Sequence, residues 1–209
     1  SDQIINHDLL GYQQIIALMY ENGIIDLLQE RLSKSGVVKI IEIGGGYGAL
    51  AYYLMKILNF EVSYSLVDIP ESLAFSSIYC GCLDMGIPVK MVLEGSDFCI
   101  NSDPSLTLIP NVFLDKLNKV DGPVDLCINT LSLAEMSPAQ VEYYCNFISG
   151  SMGSTGLFFE QNRQVNELKL EITFPRYFKR LRKCNTALLP NFKELRGEAN
   201  IWVNSYWRK

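Results

Sequence analysis

Apolar residues recur at helical spacing through the first thirty-odd positions: Leu9, Leu10, Ile15, Ile16, Leu18, Met19, Ile24, Ile25, Leu27, Leu28 and Leu32. The i, i+3, i+4 recurrence predicts helix over 8–34, with Gly23 dividing it in two and Ser33 to Gly36 ending it. From Val37 the pattern changes. Val37 to Ile43 is apolar and β-branched almost throughout, as a strand buried on both faces should be. Four glycines, Gly44, Gly45, Gly46 and Gly48, then make a turn, and helical periodicity resumes over Ala49 to Leu58. Glu61 to Val67 reads as a second strand ending on Asp68, Glu71 to Met85 as a helix stopped by Gly86, and Pro88 to Leu93 as a third strand.

Between 99 and 123 the periodicity weakens to a short strand over Ser105 to Ile109, a short helix over Pro110 to Leu117 and an Asp121-Gly122-Pro123 turn. Val124 to Asn129 is a fourth strand. Ser137 caps a helix whose first residue is Pro138 and which runs to about Ser149. A loop over 152–156 leads to a fifth strand, Leu157 to Glu160. Ile201 to Trp207 alternates with period two and reads as a last, antiparallel strand. Strands alternating five times with helices predict an α/β fold, a parallel sheet with helices on both faces.

The glycine turn changes the picture from architecture to chemistry. A strand, a glycine turn and a helix bring a ligand against bare backbone at a helix N-terminus, where free N–H groups and the dipole favour an anionic or polar group. Gly44-x-Gly46-x-x-Ala49 fits the dinucleotide fingerprint. Glu42 is a carboxylate on the last turn of a buried strand, which is costly without a partner. Asp68 ends the second strand twenty residues after Gly48, placed to accept both hydroxyls of a ribose or to cap the helix that starts at Pro70 and Glu71.

Composition narrows the classes. The chain has 209 residues, 48% hydrophobic and 20% charged, as expected of one globular domain. Its net charge of −5 gives no support to a nucleic-acid partner. No apolar run reaches transmembrane length and no signal peptide is visible. Ser1 in place of an initiator Met, directly before apolar helical sequence, suggests a fragment. Cys127 and Cys145, two of six cysteines, lie among bulky apolar neighbours, which suits reduced core thiols and a reducing, cytoplasmic setting. Cys80-Gly-Cys82, in a chain with one histidine, does not amount to a metal site.

Three segments together carry a family resemblance: Ile41-Glu42-Ile43-Gly44-Gly45-Gly46-Tyr47-Gly48, Asn129-Thr130-Leu131-Ser132-Leu133-Ala134-Glu135-Met136 and Phe158-Phe159-Glu160-Gln161-Asn162. The first resembles the opening motif of class I S-adenosylmethionine (SAM) methyltransferases. The set resembles the bacterial sugar O-methyltransferases of surface-polysaccharide and glycoconjugate pathways, over roughly residues 37–165.

The resemblance implies a Rossmann-like fold with a mostly parallel seven-stranded sheet and an antiparallel last strand. It implies an N-terminal helical segment, 1–36, covering a SAM-binding domain, 37–209. It implies SAM as cofactor, with Glu42 facing the methionine end and Gly44, Gly45, Gly46, Tyr47, Gly48, Asp68, Ile69 and Asn129 around it. Asp97 and Phe98, after the third strand, are expected at the adenine, with Glu94 the alternative.

Methyl transfer to a sugar hydroxyl needs alignment and a proton acceptor. Glu135 and His7 are the candidate bases, and Ser132, Glu160 and Asn162 the candidate substrate-binding residues, without a metal. Arg176, Lys179, Arg180, Arg182 and Lys183 interleave with Phe174, Tyr177, Phe178 and Leu181 at helix-like spacing. They read as the solvated face of an amphipathic helix, or as a site for the phosphate of a nucleotide- or lipid-linked sugar. Three other readings stay open: an NAD-linked oxidoreductase, which Glu42 and the lack of a Tyr-x-x-x-Lys pair disfavour; a non-catalytic SAM-fold module; and a methyltransferase acting on a small metabolite or a protein.

Overall fold

The computed structural model describes residues 7–93, 98–163, 170–184 and 196–205. Helices α1 (His7–Glu21) and α2 (Ile24–Ser35) come first, separated at Gly23, whose φ of 74° and position before α2 account for the break. The remaining elements are β1 (Val38–Ile43), α3 (Ala49–Ile57), β2 (Val62–Asp68), α4 (Pro70–Gly81), β3 (Val89–Met91), β4 (Phe98–Ile100), β5 (Ser105–Pro110), β6 (Leu117–Val120), β7 (Val124–Thr130), α5 (Pro138–Ser151), β8 (Met152–Asn162), α6 (Leu170–Tyr177), β9 (Phe178–Lys183) and β10 (Glu198–Asn204). Short 3-10 turns cover Asn111–Lys116 and Ser132–Glu135.

The main sheet has the order β3-β5-β2-β1-β7-β8-β10-β9. Its first six strands pair in parallel, and β10 is antiparallel to both β8 and β9. The expected fold is therefore present, with eight strands in the main sheet among the described residues instead of seven. β4 and β6 form a separate two-stranded parallel ladder.

One apolar layer, including Ile40, Tyr64, Leu66, Leu108, Ile128 and Phe159, packs under α1 to α4. The other, including Ile41, Val67, Ile109, Cys127 and Phe158, packs under α5 and α6. Both faces of β1 are buried along its whole length, which is why its sequence is continuously apolar apart from Lys39 and Glu42. Burying these side chains supplies the main stabilisation, about 1.5–3 kcal/mol for each large apolar group.

Three expectations are corrected by the strands. The strand at the third parallel position, beside β2, is β5; β3 lies outside it at the sheet edge. Both are short apolar runs, and pairing decides which is interior. The basic stretch is not one helix. α6 ends at Tyr177 with Pro175 inside it, and Phe178 to Lys183 is an edge strand on β10. Pro175 withholds a helix hydrogen bond, and the open side of β10 supplies a ladder instead. The charged, exposed face of β9 suits an edge, where lysines and arginines discourage pairing with other chains. Finally, the residues expected as a loop over 152–156 are the first part of β8.

Candidate active site

The carboxyl ends of β1, β2 and β7 meet where the connections leave for opposite faces of the sheet, α3 and α4 on one side and α5 on the other. That is the switch point at which open α/β sheets bind ligands. The turn after β1 is held from several sides. Gly44 has φ 74°, and a Cβ there would collide with the Ser132 side chain. Gly46 has φ 57°, but a Cβ there would meet nothing within 4 Å, so its outer side is open. The Gly46 N–H donates to Asp68 Oδ2 at 2.8 Å, and its carbonyl accepts from the Ser76 hydroxyl at 2.6 Å. Gly48 precedes α3 without a capping side chain, leaving the first N–H groups of that helix directed at the crevice.

Asp68 thus joins the ends of β1 and β2. Its other oxygen accepts from the Ile69 N–H at 2.7 Å. Partial burial raises its pKa, and the donors from Ile69, Gly46 and Ser72 oppose that rise. Beyond Asp68, exposed Ile69 leads to an apolar cleft of about 280 Å³ lined by Pro70, Leu73, Met91, Val92, Leu93, Pro110, Val112 and Phe113.

Glu42 lies beneath the turn. It is 1% exposed, Tyr64 donates its phenol to Glu42 Oε2 at 2.7 Å, and a Cβ on Gly45 would lie 2.9 Å from the carboxyl carbon. Burial pushes the Glu42 pKa up to about 7, against the Tyr64 hydrogen bond and with help from the Asp68 charge. Tyr47 packs edge-on between Tyr12 of α1 (5.8 Å) and Tyr79 of α4 (5.1 Å), so α1 reaches over the turn.

On the β7 side, Asn129 is fully buried. Its Nδ2 donates to the Ile43 carbonyl at 2.8 Å and to the Ser132 hydroxyl, while its Oδ1 accepts from the Leu133 N–H at 3.3 Å. Asn162 Oδ1 accepts from the Ala134 N–H at 3.3 Å. These side chains fix the segment after β7, in which Leu131 is held at φ 70°, a costly conformation for a leucine. Glu135 ends that segment and is exposed.

The structure brings together Glu42, the glycines, Tyr47, Asp68, Ile69, Asn129 and Ser132, with Asn162 holding the segment between Ser132 and Glu135. Phe98 is not among them: it opens β4 in the small ladder, because β5 occupies the position that β3 was expected to fill. Asp97 and Glu94 lie outside the described residues. His7 is the first residue of α1, and its side chain also lies outside them.

Sequence reasoning missed Pro110, the last residue of β5, and Val112 and Phe113 in the 3-10 turn after it. The signal available was an apolar run that ends in a proline. It also missed Asn200 and Trp202 of β10. Asn200 Nδ2 (2.8 Å) and Trp202 Nε1 (3.2 Å) donate to Glu160 Oε1, and Asn162 Nδ2 (3.0 Å) to Oε2. Among the described residues no three His, Cys, Asp or Glu side chains converge as metal ligands would, and no helix is long and apolar enough to cross a membrane.

No protein-family model matches the chain, and no curated protein matches it in sequence. Solved structures match it along nearly its whole length. The N-methyltransferase NodS of Bradyrhizobium japonicum superposes with a TM-score of 0.54 at 9% identity, over 90% of this chain and 97% of that one. A TehB-like SAM-dependent methyltransferase of Corynebacterium glutamicum gives 0.53 at 12% identity, over 93% and 98%. An rRNA methylase of Streptococcus thermophilus gives 0.53 at 14%, over 97% and 99%. The chain therefore has the Rossmann-like fold of the class I methyltransferases.

Proposed function

We propose that the protein is a SAM-dependent methyltransferase whose acceptor is a hydroxyl of a sugar or glycoconjugate. The observation that carries the cofactor assignment is the junction of Gly46 and Asp68: a backbone turn open on its outer side, tied at 2.8 Å to a carboxylate at the end of the next strand. The residues fit SAM in three places. The uncapped N-terminus of α3 suits the carboxylate of the methionine end. Asp68, with Gly46, Ile69 and Ser72 on three of its about four lone-pair sites, keeps one for a ribose hydroxyl. Ile69, Pro110, Val112 and Phe113 offer the adenine an apolar seat. Glu42 supports the turn from below through Tyr64.

Bound SAM supplies an electrophilic methyl group on a sulfonium, already attached to a good leaving group. The protein's task is then mainly alignment, worth up to ~7–11 kcal/mol. Asn129, Ser132 and Asn162 serve it by fixing the segment after β7 against the turn after β1. Glu135, exposed at the end of that segment, is the candidate to accept the hydroxyl's proton, with His7 the other. The helical segment 1–36 serves as a cover for the domain formed by 37–209. The hydroxyl and the sugar class rest on the resemblance of the motifs at 129–136 and 158–162.

The test is thermal unfolding with saturating S-adenosylhomocysteine and, separately, with NAD and NADH. A ligand at ~100 times its Kd adds ~2.7 kcal/mol, a rise in Tm of roughly 5–10 °C for a chain of this size. A rise with S-adenosylhomocysteine is expected. A rise with NAD alone would overturn the assignment.

A further inference from the structure

A second cavity lies apart from the crevice. It has a volume of about 1000 Å³ and lies between α6 and the strands β8, β9 and β10. Glu160, Asn162, Asn200, Trp202, Arg180 and Phe174 line it, and Asn162 also accepts from Ala134 in the segment after β7.

Its wall has a specific polar composition. Glu160 and Asn200 face each other across the β8–β10 ladder. An ionised carboxylate offers about four lone-pair sites. Three are taken by Asn162, Asn200 and Trp202. Asn200 uses its Nδ2 on Glu160, and its buried Oδ1 has no hydrogen-bond partner among the described residues. Two unspent acceptors are therefore neighbours on one wall. Unpaired buried acceptors are costly, and a ligand that donates to them removes the cost.

The cavity is lined by three cations, Arg163, Lys179 and Arg180, and three carboxylates, Glu160, Glu171 and Glu198, so its lining has no excess of cations to draw an anion. Burial raises the Glu160 pKa, and the Asn162, Asn200 and Trp202 hydrogen bonds and the charge of Arg180, whose guanidinium lies 5.9 Å over the Trp202 ring, oppose that rise. A phosphate brought to this wall would meet the Glu160 carboxylate.

We infer that this cavity holds the part of the methyl acceptor that does not react, and that Glu160 and Asn200 select it by accepting hydrogen bonds from a hydroxyl or an ammonium group. Glu160 is a specificity-determining residue in this scheme. It binds the acceptor, and the proton of the reacting hydroxyl goes elsewhere. The inference rests on the methyl-transfer reading for the word acceptor, but its test does not.

Trp202 is one of two tryptophans in the chain, and its indole N–H is bonded to Glu160. In a Trp207→Phe background its emission reports directly on this wall. The probes are methyl glucoside, methyl mannoside and methyl galactoside for hydroxyl donors, glucosamine for an ammonium donor, and inorganic phosphate. Saturable change is expected with at least one donor probe, and Glu160→Gln should weaken it about tenfold, the loss of one charge-assisted hydrogen bond. Added salt separates the sources: it weakens glucosamine binding and leaves glycoside binding unchanged. Asn200→Ala, at a half-buried position, should give a similar loss and serves if Glu160→Gln does not fold.

No change with any donor probe, unaltered binding in both variants, or saturation by phosphate alone would each overturn the inference. The S-adenosylhomocysteine shift of the unaltered protein, measured alongside, shows whether the cofactor reading fails with it or survives.

Discussion

The Gly46 N–H and the Asp68 carboxylate are bonded at 2.8 Å across the carboxyl edge of the sheet. One contact thus sets the spacing between the turn after β1 and the end of β2, and the same carboxylate is the proposed ribose ligand. Asp68→Ala should therefore lose two functions at once. Its S-adenosylhomocysteine shift is expected to vanish at ligand concentrations that saturate the parent, and its own stability to fall by about 1–3 kcal/mol through the unpaired Gly46 donor. Tm with and without ligand checks both.

Two glycines of the turn separate fold from binding. Gly46→Ala places a methyl in open space, so the protein should fold at a cost of about 1–2 kcal/mol for the left-handed backbone. The methyl occupies the side from which the ligand approaches, so the S-adenosylhomocysteine shift should disappear. Gly44→Ala adds a collision with Ser132 and should cost more than Gly46→Ala in urea unfolding.

Glu42 makes stability depend on pH in an unusual sense for a carboxylate. Its folded-state pKa of about 7 lies above the ordinary value of 4.5. The folded state therefore holds the proton more tightly than the unfolded chain. The contribution is fully present below about pH 4.5 and is lost as pH rises through about 7. Glu42→Gln keeps the shape and an acceptor for Tyr64. Between pH 5 and 8 its stability relative to the parent should increase by up to about 3 kcal/mol. Parallel urea curves at several pH values test this, and parallel pH profiles of the two proteins would refute it.

At the opposite edge of the sheet, Asp125 accepts from Arg31 Nη1 and from the Lys39 N–H, both at 2.9 Å, tying α2 to the start of β1 and β7. Asp125→Ala should lower stability by about 1–3 kcal/mol and leave the S-adenosylhomocysteine shift intact. It is the matched control for Asp68→Ala.

What was legible in the sequence was local. The glycine turn, Asp68 at the end of β2 and the Ser137 cap before Pro138 at the start of α5 depend on residues a few positions apart or on one strand's length. The edge position of β3 was not legible, because Val89–Met91 and Ser105–Pro110 are equally plausible partners for β2 until both are present. That choice put Phe98 in the small β4–β6 ladder and left Pro110, Val112 and Phe113 lining the apolar cleft beside β2. The division of residues 170–183 into α6 and β9 was hidden for a related reason. Phe174, Tyr177, Phe178 and Leu181 satisfy helical spacing, and only the open side of β10 makes the second half extended. Two of the three donors that hold Glu160, Asn200 and Trp202, come from 40 and 42 residues further along, across an antiparallel pairing, and no spacing rule reaches that far.

The place of β10 also has a temporal meaning. It sits between β8 and β9, yet the ribosome delivers both of those strands first. β8 must wait with one side unpaired, and β9 waits with both. Lys179, Arg180, Arg182 and Lys183 make the waiting strand a poor partner for a neighbouring nascent chain. The wall formed by Glu160, Asn200 and Trp202 cannot exist until β10 leaves the exit tunnel, long after the glycine turn and Asp68 have left it.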